Sequence, residues 1–202
     1  MLNLFGTPVY LNNIKIKDKD INNLIDSNYE RLKSNIASVT TNTFILDNKE
    51  NINIKNIILD NLNKYLYNQL KIKKHVKFRM LNSWCMKLNK NDWAVNHTHD
   101  NSFISGVLYL KTYKNSGNLI LHRNKLLNIF PSSVKIEFEK INEINCEYYS
   151  ITPEEGDIIF FPSQLEHSVT KNLNEKDRYC CAFNFYPEGN FGQNSDLNVL
   201  KI

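Results

Sequence analysis

Apolar side chains recur at helical spacing twice near the start of the chain: Ile21, Leu24, Ile25, Tyr29 and Leu32, then Ile54, Ile57, Ile58, Leu62, Tyr65, Leu66 and Leu70. Each set predicts a helix with one apolar face to lay on something larger. Asp18 or Asp20 is placed to cap the first helix. The second starts near Asn51, and its β-branched isoleucines lower its intrinsic propensity. From about Val76 the period changes. Short runs rich in Val, Ile, Phe and Tyr follow one another: VKFRMLNSWCMKL, SFISGVLYLKTY, GNLILH, SVKIEF, CEYYSIT, GDIIFFPS, HSVTK and RYCCAFNFYP. Clusters of Asn, Gly, Ser, Pro and Lys separate them, as turns separate strands. Roughly eight strands suit a double-sheet jelly roll. The expected architecture is therefore mainly β, a cupin-like double-stranded β-helix, with N-terminal helices bracing one outer face. No repeat or low-complexity linker divides the chain, so residues 1–75 (an N-terminal strand and the helices) and 76–202 (the core) read as parts of one domain. The tail EGNFGQNSDLNVLKI reads as a polar loop with a short apolar end that docks back.

Composition narrows the class. With 202 residues, 42% hydrophobic and 23% charged, the chain resembles an ordinary folded domain and neither a disordered nor a fibrous one. Lys and Arg number 25 against 21 Asp and Glu, a net +4 spread along the chain, which gives no specific nucleic-acid signal. The four cysteines have no C-x-x-C spacing, so neither a zinc knuckle nor a disulfide framework is expected, and reduced thiols in a cytoplasmic setting fit best. No run approaches the roughly 18 apolar residues of a membrane span, and the first residues lack the pattern of a secretion signal.

Candidate chemistry lies in the histidines. Three of the five, His97, His99 and His167, fall in NHTHDNSFISGVLYL and FFPSQLEHSVTK, segments that read as turns feeding strands. If residues 97 to 99 are extended, His97 and His99 share a face and Asp100 points away. A third ligand from a distant strand completes a facial set with open positions, the economy of non-haem Fe(II) oxygenases and also of hydrolytic zinc sites. Arg178 follows His167 by eleven residues, on the last long strand. A buried Arg beside a metal calls for an anion. A dicarboxylate 2-oxo acid satisfies both, chelating the metal at one end and meeting Arg178, with Tyr109 as hydroxyl partner, at the other.

These segments carry a family resemblance. H-x-H-x-x-S-x-x-S-G-V-x-Y is written as HTHDNSFISGVLY, followed by SGNLIL and GDIIFFPSQLEHSVTKNLNEKDRYCCAFNFYP, with LFGTPVY as a weaker stretch at the start. Together they resemble the 2-oxoglutarate and Fe(II)-dependent dioxygenase superfamily near its prolyl-hydroxylase-like branch, over about Trp84 to Pro187. The resemblance implies Fe(II) and 2-oxoglutarate as cofactors, dioxygen as cosubstrate and hydroxylation of an unidentified primary substrate with release of succinate and carbon dioxide. It assigns His97 and His167 to the metal, Arg178 and Tyr109 to the cosubstrate carboxylate, and Asn184 to a position where this branch usually has an asparagine. The middle position of the family's H-x-D motif is His99 here. Two readings follow, a three-histidine site or a rotated turn in which Asp100 supplies the carboxylate.

Blander readings stand beside these. A lone histidine is usually a surface or hydrogen-bonded residue, as His75 and His122 are taken to be. Arg178 can pair with Asp157 or Glu166, and Tyr109, Trp84 and Trp93 can be plain core or pocket wall. Two alternative functions remain: a non-catalytic jelly-roll binding module with a vestigial metal site, and a three-histidine cupin dioxygenase that needs no cosubstrate. Substrate specificity is assigned to the loops around residues 86–96 and 122–132.

Overall fold

Strands form at nearly all the alternating runs downstream of residue 76. The computed structural model describes residues 6–32, 37–123, 136–192 and 199–201. In chain order its elements are β1 (Tyr10–Asn13), α1 (Asp18–Ile25), β2 (Tyr29–Arg31), β3 (Ser38–Thr40), α2 (Ile52–Asn63), β4 (Lys77–Leu88), β5 (Ala94–His97) and β6 (Ile104–Lys111). There follow β7 (Leu119–His122), β8 (Tyr148–Ile151), β9 (Asp157–Pro162), β10 (His167–Val169), β11 (Arg178–Glu188), β12 (Asn190–Phe191) and β13 (Leu200–Lys201).

Two antiparallel sheets pack face to face, the larger in the order β1-β9-β6-β11-β4-β3-β2 and the smaller β5-β10-β7-β8. Strands β4 to β11 divide evenly between them and form the jelly roll, while the N-terminal β1, β2 and β3 extend the larger sheet at its edges. Alternation along β11 separates two cores. Cys181, Phe183 and Phe185 face outward and join Ile21 and Leu24 of α1 and Ile54, Ile58 and Leu62 of α2. Cys180 faces inward with Val107, Tyr109, Ile159 and Phe161, against Leu119 and Leu121 of the smaller sheet. The helices thus brace the outer face of the larger sheet, and the site lies between the sheets.

Local departures have local causes. The first helix ends at Ile25, because Asp26, Ser27 and Asn28 turn the chain. Tyr29, expected in that helix, opens β2 opposite Thr40. Neither Asp18 nor Asp20 caps α1; Lys17 holds the cap position without a side-chain bond, and the two acids sit inside the first turn, where the helix dipole favours them. Asn51 precedes α2 as expected, and a π-helical turn, Lys64–Gln69, carries its apolar face on through Tyr65 and Leu66. Of SVKIEF, residues 133–135 lie outside the described residues and Ile136–Phe138 form no strand. The eighth jelly-roll strand is instead β5, whose four residues, AVNH, are too few to set a period. Among the described residues the tail pairs only with itself, Phe191 opposite Leu200, and its apolar end does not dock on the core, since Val199 and Leu200 are exposed.

Candidate active site

Three histidines converge from two strands and a loop. His167 opens β10 and stands in register with His97 at the end of β5. His99 lies two residues beyond that strand and is held through its backbone. Its N–H donates to the Ser163 carbonyl at 3.0 Å, and its carbonyl accepts from Ser102 Oγ at 3.1 Å. Ring centroids are 4.2 Å apart for His97 and His167, and 5.1 Å for His99 to either. One nitrogen from each of the three rings falls within 4.8 Å of the others. Asp100 is exposed and outside this group.

Backbone carbonyls orient two of the three rings. Nδ1 of His97 lies 2.7 Å from the Val95 carbonyl and Nδ1 of His167 lies 2.8 Å from that of Leu165. With Nδ1–H donating there, Nε2 keeps its lone pair. Phe161 packs edge-on against His167 at 4.8 Å, and Trp84 lies 5.9 Å from His99. Burial, reinforced by His97 nearby, pushes the His167 imidazole down to about 3 and that of His99 to about 4. Both are therefore neutral near pH 7, the form that binds a cation.

Arg178 is 1% exposed and pairs with no carboxylate among the described residues. Asp157, a candidate partner, instead accepts from Asn13 Nδ2 and the Glu154 N–H. The guanidinium sits 4.8 Å from the centroid of the Tyr109 ring and donates from Nη1 to the Gly117 carbonyl at 3.3 Å. Arg178 Nε and the Tyr109 hydroxyl are both buried without a hydrogen-bond partner among the described residues. Burial raises the Tyr109 phenol, so it remains a proton donor. A buried cation with a free donor beside an orphaned hydroxyl is costly alone and well matched to a carboxylate. The histidines and Arg178 lie close together along the inner face. A side chain at Gly117 would meet Arg178 Nη1 at 3.4 Å and Val169 at 3.5 Å, and Val169 is two residues, about 7 Å of strand, from His167. That separation suits a short dicarboxylate lying between the histidines and Arg178.

Other residues singled out from the sequence fall as follows. Asn184 is buried in a side-chain row, accepting from Ser105 Oγ at 2.7 Å and donating to Asn82 Oδ1 at 2.9 Å. Ser102 and Ser105, both in the H-x-H-x-x-S-x-x-S motif, thereby hold His99 and Asn184. Trp84 forms cavity wall, whereas Trp93 lies under the Lys171 ammonium. His122 bonds Ser168 on the opposite face of β10, and His75 is exposed. Of the loop assigned to specificity at 122–132, all from 124 onward lies outside the described residues. Asn82 and Ser163 were not legible as site residues, although Asn82 and Asn184 interrupt apolar alternation at inward-facing strand positions.

The fold recurs in solved structures of low sequence identity. HygX from Streptomyces hygroscopicus, with nickel and 2-oxoglutarate bound, is 11% identical with a TM-score of 0.59 over 89% of this chain and 83% of its own. A Pseudomonas putida prolyl-4-hydroxylase is 12% identical, with a TM-score of 0.56 over 89% of this chain and 92% of that one. An oxidoreductase of the 2OG-Fe(II) oxygenase family from Burkholderia pseudomallei is 11% identical, with a TM-score of 0.57 over 81% and 73% of the two chains. At these identities the likeness is one of fold. No curated protein matches by sequence. Residues 82–184, just over half of the chain and the stretch from mid-β4 to late β11 that carries the site, match the family described as "Putative 2OG-Fe(II) oxygenase", and the chain belongs to that family.

Proposed function

We propose that this protein is a 2-oxoglutarate- and Fe(II)-dependent oxygenase in which His97, His99 and His167 hold the metal and Arg178 with Tyr109 holds the far carboxylate of 2-oxoglutarate. Bound iron supplies the activation of dioxygen that couples decarboxylation of 2-oxoglutarate, to succinate and carbon dioxide, with insertion of an oxygen atom into a C–H bond of a second substrate. The protein's part is to bind, orient and shield. His97 and His167 present Nε2 because backbone carbonyls hold their Nδ1. Arg178 offers Nε and Tyr109 its hydroxyl, and both are without a partner until an anion arrives. Asn184 positions the cavity wall, since its own amide is already bonded on both sides. His99 takes the middle place over Asp100, which lies outside the cluster.

The observation that carries this reading is the pair of buried groups at Arg178 and Tyr109, without hydrogen-bond partners among the described residues, beside a trio of convergent histidines. HygX, which shares the fold, was solved with nickel and 2-oxoglutarate together, which supports the same pairing here. A cosubstrate-independent three-histidine cupin accounts for the trio and leaves Arg178 unexplained. Residues 1–75 we take as part of one domain with 76–202, because the helices and the larger sheet share a core. A cytoplasmic setting is supported by four free cysteines, three of them buried. No described helix is long and apolar enough to cross a membrane.

The test is succinate formation by anaerobically prepared protein given Fe(II) and 2-oxoglutarate and then air, beside a zinc-loaded control. Slow turnover with iron alone is expected. Absence of succinate, together with no 2-oxoglutarate-dependent visible band in the anaerobic iron complex, would overturn the assignment.

A further inference from the structure

A row of polar side chains, three of them buried, crosses the larger sheet at the level of the histidines and ends in a partly exposed donor with no partner among the described residues. Ser163 Oγ and Ser105 Oγ are 2.9 Å apart, Ser105 Oγ donates to Asn184 Oδ1 at 2.7 Å, and Asn184 Nδ2 donates to Asn82 Oδ1 at 2.9 Å. Ser163 and Ser105 are each 1% exposed and Asn184 5%. The direction of the row is fixed by its chemistry. A carboxamide oxygen only accepts, so Ser105 must give its proton to Asn184, which leaves Ser163 to donate to Ser105. Every donor therefore points toward Asn82. The Asn82 oxygen is taken, and its NH₂, on a partly exposed side chain, has no partner among the described residues. Aligned hydrogen bonds polarise one another, which strengthens the terminal donor.

The position of this terminal NH₂ is informative. Trp84, next along the inner face of β4 from Asn82, lies 5.9 Å from His99. Ser105 stands in register with Phe161, which packs on His167 at 4.8 Å. Ser163 also binds the His99 backbone. Arg178, with its unpaired Nε, lies six residues from Asn184 on the same face of β11. The Asn82 amide is thus on the histidine side, away from the cosubstrate carboxylate.

We propose that Asn82 binds the primary substrate, donating from Nδ2 to an acceptor oxygen, carbonyl or hydroxyl, that the substrate carries close to the carbon to be oxidised. This rests on the oxygenase reading of the site. Asn82 is then a specificity-determining residue, aligned by Asn184, Ser105 and Ser163, and it selects acceptors over cations.

The test uses isotope-labelled full-length protein supplied with zinc and 2-oxoglutarate, which cannot turn over, and reads the Asn82 side-chain NH₂ resonances by NMR. The probes are N,N-dimethylacetamide, which only accepts hydrogen bonds, and methylguanidinium, which only donates. A saturable shift with dimethylacetamide and none with methylguanidinium is expected. No shift with either, equal shifts with both, or the reverse preference would each overturn the proposal. The neighbouring Trp84 indole N–H is read as a second probe and should respond to dimethylacetamide in the unmodified protein; in Asn82→Asp the bond from Asn184 is kept while the donor becomes an acceptor, so that response should be lost and one to methylguanidinium gained, and an unchanged response also overturns the proposal. Neither measurement needs iron or dioxygen. Their failure removes Asn82 alone, whereas absence of succinate formation removes the oxygenase reading.

Discussion

Arg178 and Tyr109 separate stability from function at the level of single side chains. Arg178 is a buried cation with no carboxylate partner, and Tyr109 carries a buried hydroxyl with no hydrogen-bond partner, among the described residues. Each costs the protein desolvation energy that a carboxylate bound as proposed would offset. Arg178→Leu should therefore leave thermal stability equal or higher while raising the 2-oxoglutarate dissociation constant at least about thirtyfold, the lower end for truncating a buried charge pair. Tyr109→Phe should raise it about tenfold, as loss of one hydrogen bond to a charged group. Isothermal titration of the zinc-loaded variants checks both, and unchanged affinity in Arg178→Leu would remove that residue from its role. The histidines behave differently with pH. Their ordinary value is 6.5, and the fold pushes His99 to about 4 and His167 to about 3, mainly by burial. Between pH 6.5 and those values the unfolded chain takes up protons that the folded chain refuses, so stability present above pH 6.5 is lost as pH falls. The melting temperature of the metal-free protein should decline from pH 7 to pH 4, and less steeply in His167→Gln; a flat profile would contradict neutral burial of these rings.

The long strands β4, β6, β9 and β11 were legible as elements because apolar residues fill both faces of a sheet buried between helices and a second sheet. That double burial explains the close packing at Gly106. A Cβ there would collide with the Phe183 ring and meet the Ile159 carbonyl at 2.8 Å and Phe160 at 2.9 Å. Gly106→Ala should destabilise the protein by about 1–3 kcal/mol, the usual cost of overpacking, read as a lower denaturant midpoint with an unchanged slope. A neutral result would mean that β6 and β9 can separate locally. Short elements were less legible for a physical reason. β2 and β3 have three residues each, too few to establish a period, and the i, i+4 spacing of Ile25 and Tyr29 mimics a helix across a turn. β5 is held by pairing with β10 rather than by apolar content. The site followed the same rule. His97, His99, His167 and Arg178 were readable as residue types with metal and anion chemistry. The row through Asn82 was not, because an asparagine in a strand reveals nothing until its partners across the sheet are known.

At the scale of the whole molecule, the proposed site draws on both sheets, with the histidines supplied by the smaller sheet and its β5–β6 loop, and Arg178 and Tyr109 by the larger. A molecule gripped at both ends makes the two binding events depend on each other. Metal should raise the affinity for 2-oxoglutarate, and 2-oxoglutarate should raise the affinity for metal by the same factor, since coupling is reciprocal. A ligand at a hundred times its dissociation constant stabilises the folded state by about 2.7 kcal/mol. For a chain of this length that corresponds to a rise in melting temperature of about 5–10 °C. Zinc and 2-oxoglutarate together should exceed the sum of their separate shifts. Arg178→Leu should keep the zinc shift and lose most of the excess, because the chelating end alone still reaches the metal. His167→Ala should lose the zinc shift and the excess together, while 2-oxoglutarate alone retains a small effect through Arg178. Thermal melts of the three proteins across the four ligand combinations decide this. Strictly additive shifts in the unmodified protein would mean that metal and dicarboxylate do not share one cavity, and the two ends would then have to be assigned to separate ligands.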